Sequence, residues 1–296
     1  MQQTQLFSEK KIVLQDKVVP FKTQFLKWVG NKQRFAHEII SYFPDNFKNY
    51  YEPFIGSGAV LGTLAPKKGF AGDLLKPLAE LWDTLSKNPQ IVIDWYKSNF
   101  QLIDEFGKIK AFEKIRDSYN QNPNPKDLLF ISRSCYGGVL RFRKADGAIS
   151  TPCGVHDPIS PLSFEMRANL WNNRIKNVEV YHADFEVLFD QAKRGDVIYC
   201  DPPYVHSQTI LYGAQSFSLE RLFTAIEKAT SKGIFILLSI DGTKKSGLEV
   251  CDIEIPKKLF KRCEYVNCGR SMLRRFQLKD KTLESEVVSD RLLLNW

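Results

Sequence analysis

The sequence predicts an α/β fold: a mostly parallel sheet, helices on both of its faces, and a mainly helical insertion. Three observations predict it. Short apolar runs, such as Val197–Cys200 and Gly233–Ile240, alternate with helix-periodic segments, as buried parallel strands alternate with their crossover helices. One strand runs into a glycine-rich turn, Gly56-Ser57-Gly58, where backbone can approach a ligand closely. Another strand ends in Asp201-Pro202-Pro203-Tyr204, where two prolines remove two backbone donors and stop the ladder. In open α/β sheets the C-terminal edge of such strands is where ligands sit.

The elements follow in order. Residues 1–20 are polar apart from Lys11–Leu14, a short strand or arm. Phe25-Leu26-Lys27-Trp28-Val29-Gly30-Asn31-Lys32 opens a helix over Gln33–Ile40, apolar at Phe35, Ile39 and Ile40. Lys32 falls in the first turn, where the helix dipole disfavours a cation, which points to a ligand carboxylate. Tyr50–Glu52 is a strand and Ala59–Gly62 begins a small-residue helix. Phe70-Ala71-Gly72-Asp73 is a second strand ending in an acid, the position that binds ribose hydroxyls in dinucleotide-binding sheets. Glycine turn and acid together indicate an adenosine-containing cofactor. They do not choose between a dinucleotide and S-adenosylmethionine.

Residues 76–130 read as helical, broken at Asn120–Pro125. Asp146-Gly147 between Arg141-Phe142-Arg143 and Ile149 predicts a β-hairpin. Its arginines, interleaved with Tyr136 and Phe142, suit base-edge contacts and stacking, although an ordinary exposed hairpin is the alternative. A helix over Glu165–Asn173, a strand over Val178–Phe185 and a helix over Glu186–Arg194 lead to the Val197–Cys200 strand. Leu219–Ser231 is helical, and Arg291–Leu294 closes the sheet. The division is therefore 1–80 with 176–296 as one unit and 81–175 as the insertion.

The Asp201 carboxylate and the Pro202 carbonyl form a pair of acceptors held stiff at a strand end. A planar amino group on a nucleobase is a poor nucleophile, and two acceptors on its hydrogens would draw the nitrogen toward tetrahedral geometry. Tyr204 offers a ring to stack on the base. The competing reading is a buried turn with a capping aspartate.

Net charge is +8. From Lys257 to Lys281 the chain carries nine Lys/Arg against Glu264 and Asp280, so nearly the whole excess lies in one stretch. That suggests a polyanion partner, with a solvated basic loop as the alternative. None of the six cysteines forms a Cys-x-x-Cys pair and the four histidines are scattered, so no metal site is expected. No apolar run reaches membrane-spanning length and the N-terminus lacks signal-peptide regions, so a cytoplasmic protein is expected.

Taken together, the Phe25–Lys32 segment, Glu52-Pro53-Phe54-Ile55-Gly56-Ser57-Gly58, Gly72-Asp73, the Tyr136–Gly154 hairpin and Asp201-Pro202-Pro203-Tyr204 resemble, in order, the motifs of Dam-type DNA adenine methyltransferases, the alpha group of S-adenosylmethionine-dependent amino methyltransferases. The resemblance covers nearly the whole chain from Phe25 onward. It implies a Rossmann-like methyltransferase sheet, with the insertion and its hairpin as the DNA target-recognition domain. It implies that Trp28, Lys32, Glu52, Pro53, Phe54, Gly56, Gly58, Asp73, Asp184, Phe185 and Asp201 surround S-adenosyl-L-methionine, with Lys32 on its carboxylate and Asp73 on its ribose. Asp201, Pro202, Pro203 and Tyr204 would receive an adenine flipped out of double-stranded DNA. Lys27, Tyr136 and Arg141 would make base-edge contacts or wedge between bases, Arg143 would bind DNA beside them, and Arg270, Arg274 and Arg275 would contact phosphates. A monomer in solution, with a cognate restriction endonuclease as a possible partner, is the expected context. Two departures stand out: Leu75 where the family often has asparagine, and Gly137 where close relatives often have asparagine. Methylation of RNA or cytosine, or a silent DNA-binding regulator, are the alternative functions.

Overall fold

The strands alternate their side chains between two cores, which fixes the architecture. Tyr50, Val197, Tyr199, Leu237, Leu292 and Leu294 enter one apolar cluster; their neighbours Tyr51, Ile198, Cys200, Ile236, Leu238 and Leu293 enter a second. A period of two with both sets apolar is the signature of a sheet covered on both faces. The computed structural model describes residues 18–143, 145–203, 217–244, 249–250, 254–256, 258–270 and 287–296.

Among the described residues one sheet has the order β3-β2-β1-β4-β5-β8-β7, with β6 paired to β5. Its strands are β1 (Tyr50–Glu52), β2 (Gly69–Asp73), β3 (Val178–His182), β4 (Val197–Cys200), β5 (Phe235–Lys244), β6 (Glu249–Val250), β7 (Arg262–Arg270) and β8 (Val287–Leu294). β1 to β5 run parallel to one another; β6 is antiparallel to β5, and β8 is antiparallel to both β5 and β7. The chain winds outward from β1 to β3, then returns to lay β4 on the other side of β1. The β1/β4 boundary is thus the switch point, and the C-terminal ends of these two strands diverge into a crevice.

Helices α1 (Ala36–Ile40) and α2 (Ala59–Leu64) precede the insertion, and α8 (Phe185–Gln191) and α9 (Leu219–Ser231) follow it. Between β2 and β3 lie α3 (Lys76–Lys87), α4 (Pro89–Phe106), α5 (Lys108–Gln121), α6 (Pro125–Ser134) and α7 (Pro161–Ile175). Three of these helices start with a capping side chain followed by proline: Asn88-Pro89, Asn124-Pro125 and Ser160-Pro161. Proline at the first helical position has no amide to leave unsatisfied, and each cap accepts a bond from a first-turn N–H. This places the start of α7 at Pro161, four residues earlier than its apolar spacing predicts.

Two further boundaries differ from expectation. The first helix begins at Ala36, not Gln33, because the Asn31 side chain accepts the Gln33 N–H at 2.7 Å and Phe35 N–H bonds back to the Lys32 carbonyl at 3.0 Å. Lys32 therefore sits in a turn ahead of the helix, where the dipole argument does not apply. The basic Arg262–Arg270 segment is an edge strand, β7, whose pairing with β8 comes from the backbone ladder rather than from an apolar run. The Asp146-Gly147 hairpin forms as expected, with Phe142 opposite Ile149.

The helices between β2 and β3 share their core with the sheet. Trp82 of α3 and Trp171 of α7 lie 5.3 Å apart, both against Phe25, and Tyr96 of α4 stacks on Phe164 of α7 at 4.0 Å. All belong to the same cluster as Tyr50 and Tyr199. Gly62 of α2 marks the tightest point, where an added Cβ would collide with the Trp171 ring. Gly62→Ala is expected to cost about 1–3 kcal/mol by overpacking, read as a lower urea midpoint with unchanged slope. No loss would show that Trp171 can retreat.

Candidate active site

The site grows out of the β1/β4 switch point. β1 ends at buried Glu52, and the chain turns through Pro53–Gly58 into α2. Gly56 and Gly58 take φ values of 43° and 63°, left-handed conformations that a side chain would strain. Asp73, at the end of neighbouring β2, holds this loop: one carboxylate oxygen accepts the Gly56 N–H at 3.2 Å and the other accepts the Leu75 N–H at 2.9 Å. Burial pushes the Asp73 carboxyl up, against the pull of those backbone donors. Leu75 donates its backbone N–H to Asp73 and lines the cavity. Trp82 closes the other side by donating its indole N–H to the Gly56 carbonyl at 3.0 Å.

β4 ends at Cys200 and delivers Asp201 beside the loop. The Lys32 ammonium lies 3.1 Å from Asp201 and 2.6 Å from Asp290 of β8. Lys32 is only 5% exposed. Burial pulls its ammonium down, but Asp201 and Asp290 outweigh this and hold it well above the usual lysine range. The remaining wall is aromatic: Phe54 stacks on Phe185 at 5.4 Å and meets Phe217 edge-on at 5.9 Å. Asp184 caps α8 by accepting the Glu186 N–H and pairs with Arg221 at 3.0 Å.

These groups enclose a cavity of about 500 Å³, within the size range of small-molecule sites. Of the expected cofactor residues, Trp28, Lys32, Glu52, Pro53, Phe54, Gly56, Asp73, Asp184, Phe185 and Asp201 line it, together with Pro203. Gly58 instead serves the turn as the cap residue of α2, and Pro202 is buried beneath the corner. Of the residues expected to touch DNA, Lys27, Tyr136 and Arg141 are exposed outside the cavity lining. Arg143 is also exposed, but it pairs with Asp146 at 2.5 Å and the hairpin tip forms part of the cavity wall. Tyr204, Arg274 and Arg275 lie outside the described residues, and Arg270 is the last residue of β7. Asp290 escaped the sequence reading; no motif surrounds it and it sits in a strand otherwise read from its leucines.

Glu52 is neutral in the folded protein at neutral pH. Burial pushes its carboxyl up to about 8, despite a hydrogen bond from the Tyr50 hydroxyl at 2.6 Å. The folded state therefore keeps a proton that the unfolded chain releases above its ordinary value near 4.5. Stability should fall as pH rises from 4.5 to 8 and level off above, at up to about 1.4 kcal/mol per pH unit for this group. Glu52→Gln should flatten that dependence. Urea denaturation at pH 5, 6.5 and 8, roughly spanning that window, tests this; parallel curves for both proteins would refute it.

A glycine loop pinned by an acid, a strand-end Asp-Pro-Pro beside it, and a 3-2-1-4-5 sheet edged by an antiparallel pair define a Rossmann-like methyltransferase. Residues 28–268 match the model of the D12 class N6 adenine-specific DNA methyltransferases, and the chain belongs to that family. It is an adenine-specific DNA methyltransferase. The type II methyltransferase M.MjaIII of Methanocaldococcus jannaschii is 30% identical over 201 residues, covering 61% of this chain and 68% of that protein. The type II methyltransferase M1.LlaDCHI of Lactococcus lactis subsp. cremoris is 27% identical over 237 residues, covering 73% and 80%. A DNA adenine methylase of Vibrio cholerae is 26% identical over 227 residues, again covering 73% and 80%. Among the described residues, no helix is long and apolar enough to cross a membrane.

Proposed function

We propose that the chain transfers the methyl group of S-adenosyl-L-methionine to the exocyclic amino nitrogen of an adenine within a specific site in double-stranded DNA. One observation carries the reading: Lys32, Asp73 and Asp201, far apart in sequence, line one cavity. The cavity fits the donor. Its left-handed glycines admit close backbone approach, Asp73 offers a carboxylate at the ribose position, and the stacked rings of Phe54 and Phe185, with Phe217 edge-on, give an apolar wall for an adenine ring. Bound there, the donor supplies an electrophilic methyl group on a sulfonium.

The chain's own residues do the rest. Asp201 and the Pro202 carbonyl accept the two hydrogens of the adenine amino group, which localises the nitrogen lone pair. The two prolines fix these acceptors, so no reorganisation is needed as positive charge develops on nitrogen. The Asp201 carboxylate stabilises that charge; as the N–C bond forms, the bond from methyl to the donor's sulfur breaks to leave a neutral thioether, and one amino proton passes by way of Asp201 to solvent, while Tyr204 stacks on the extruded base. Lys27, Tyr136 and Arg141 meet the duplex, with Arg270, Arg274 and Arg275 on phosphates, so binding weakens steeply with salt. Arg143 sits where the hairpin meets the cavity and would report DNA engagement to it. The type II names of two relatives support a place in a restriction-modification system, with a cognate endonuclease as partner. Cytoplasmic location and a monomeric state in solution complete the proposal.

The test is transfer of labelled methyl from S-adenosyl-L-methionine to unmethylated plasmid, followed by nucleoside analysis. N6-methyladenine confined to one sequence context is the expected product. Label on cytosine, or none on DNA, would overturn the reading.

A further inference from the structure

Going along β8, Leu294 and Leu292 point into the first apolar cluster and Leu293 into the second. Two residues before Leu292, the same inward row reaches Asp290, which is 5% exposed. A carboxylate in a row of leucines is costly to bury unless it is paired. Asp290 pairs with Lys32 at 2.6 Å, closer than the 3.1 Å from Lys32 to Asp201. β5 shifts register next to the Asp241–Asp290 backbone pair, and such irregularities re-aim side chains beside active sites.

We propose that Asp290 is a positioning residue for methyl transfer: by sharing the Lys32 ammonium, it keeps that cation from fully neutralising Asp201, which thereby retains its strength as an acceptor. The inference rests on the role of Asp201 proposed above. A lysine with one carboxylate partner would bind Asp201 tightly and compete with the adenine amino group. A lysine shared between two carboxylates fixes Asp201 in place without being committed to it. Among the described residues, Glu52 from β1 and Cys200 from β4 also interact electrostatically with Asp201, and Tyr199 from β4 with Lys32. Burial raises Glu52 to about 8 and holds Cys200 well above the usual thiol range, which favours the uncharged form of both.

The experiment compares Asp290→Asn and Asp290→Glu with the wild-type chain in steady-state methylation of plasmid DNA. Donor affinity is measured by calorimetry without DNA and folding by circular dichroism. Asp290→Asn is expected to lower kcat by about tenfold, the scale on which groups of one buried ionic network couple. It should leave donor affinity unchanged and move the acid limb of the pH–rate profile to lower pH, because Lys32 then no longer divides its charge between Asp201 and Asp290. Asp290→Glu should recover most of kcat. An unchanged acid limb and kcat in Asp290→Asn would overturn the inference. So would a tighter donor complex, which would show Lys32 bound to the donor carboxylate instead. Equal loss of fold in both variants would make Asp290 merely structural and also overturn it. A wild-type chain that methylates no adenine would sink the functional reading, and this inference with it.

Discussion

Asp201→Asn should leave a folded protein that still binds DNA but transfers methyl groups about 10²–10³-fold more slowly. The amide keeps the shape of the side chain and one acceptor, but loses the negative charge that faces the developing positive nitrogen. Lys32 stays anchored, because Asp290 holds it at 2.6 Å independently of Asp201. The loss should therefore appear in kcat, with little change in melting temperature or in DNA affinity measured by fluorescence anisotropy. Asp201→Ala should remove the remaining acceptor and bring transfer below detection. If Asp201→Asn kept wild-type kcat, the charge of Asp201 would have no part in the reaction.

Lys32→Met should be the most destabilising single change at the site, by about 3–5 kcal/mol. The substitution leaves Asp201 and Asp290 facing the space of one cation, with side chains only 20% and 6% exposed. Removing one partner of a buried ionic group costs more than the pair itself contributes, because the remaining charge stays desolvated. Thermal unfolding reads this directly. A second change, Asp290→Asn in the Lys32→Met background, should recover part of the loss, with a coupling above about 1 kcal/mol. Strict additivity of the two changes would show that the buried pair carries no net interaction.

Much of the sheet and half of the site could be read from residue order alone, for physical reasons. β4 was legible because Val197–Cys200 is wholly apolar and two prolines end it; the structure starts and stops the strand at those residues. α9 was legible over Leu219–Ser231 because Ser218 caps it and its apolar positions repeat at helical spacing. Asp73 and the glycine loop were legible because left-handed turns and strand-end carboxylates have strong residue preferences. β7 was not, since a strand at a sheet edge needs only one apolar face, and the charges of Arg262 and Glu264 masked it. The sharing of one core by the sheet and the helices between β2 and β3 was also hidden. Trp82 and Trp171 are 89 residues apart in sequence, and nothing local says that they touch. Asp290 was hidden for the same reason: its partner is 258 positions away.

That separation has a consequence for biosynthesis. The Lys32–Asp290 contact joins segments 258 residues apart, so the reactive corner cannot assemble on a ribosome that has yet to translate β8. At about 5–20 residues per second, roughly 13–52 s pass between translation of the two partners, during which Lys32 lacks Asp290. A frameshift or stop codon anywhere before β8 would yield an inert product rather than a partly active one.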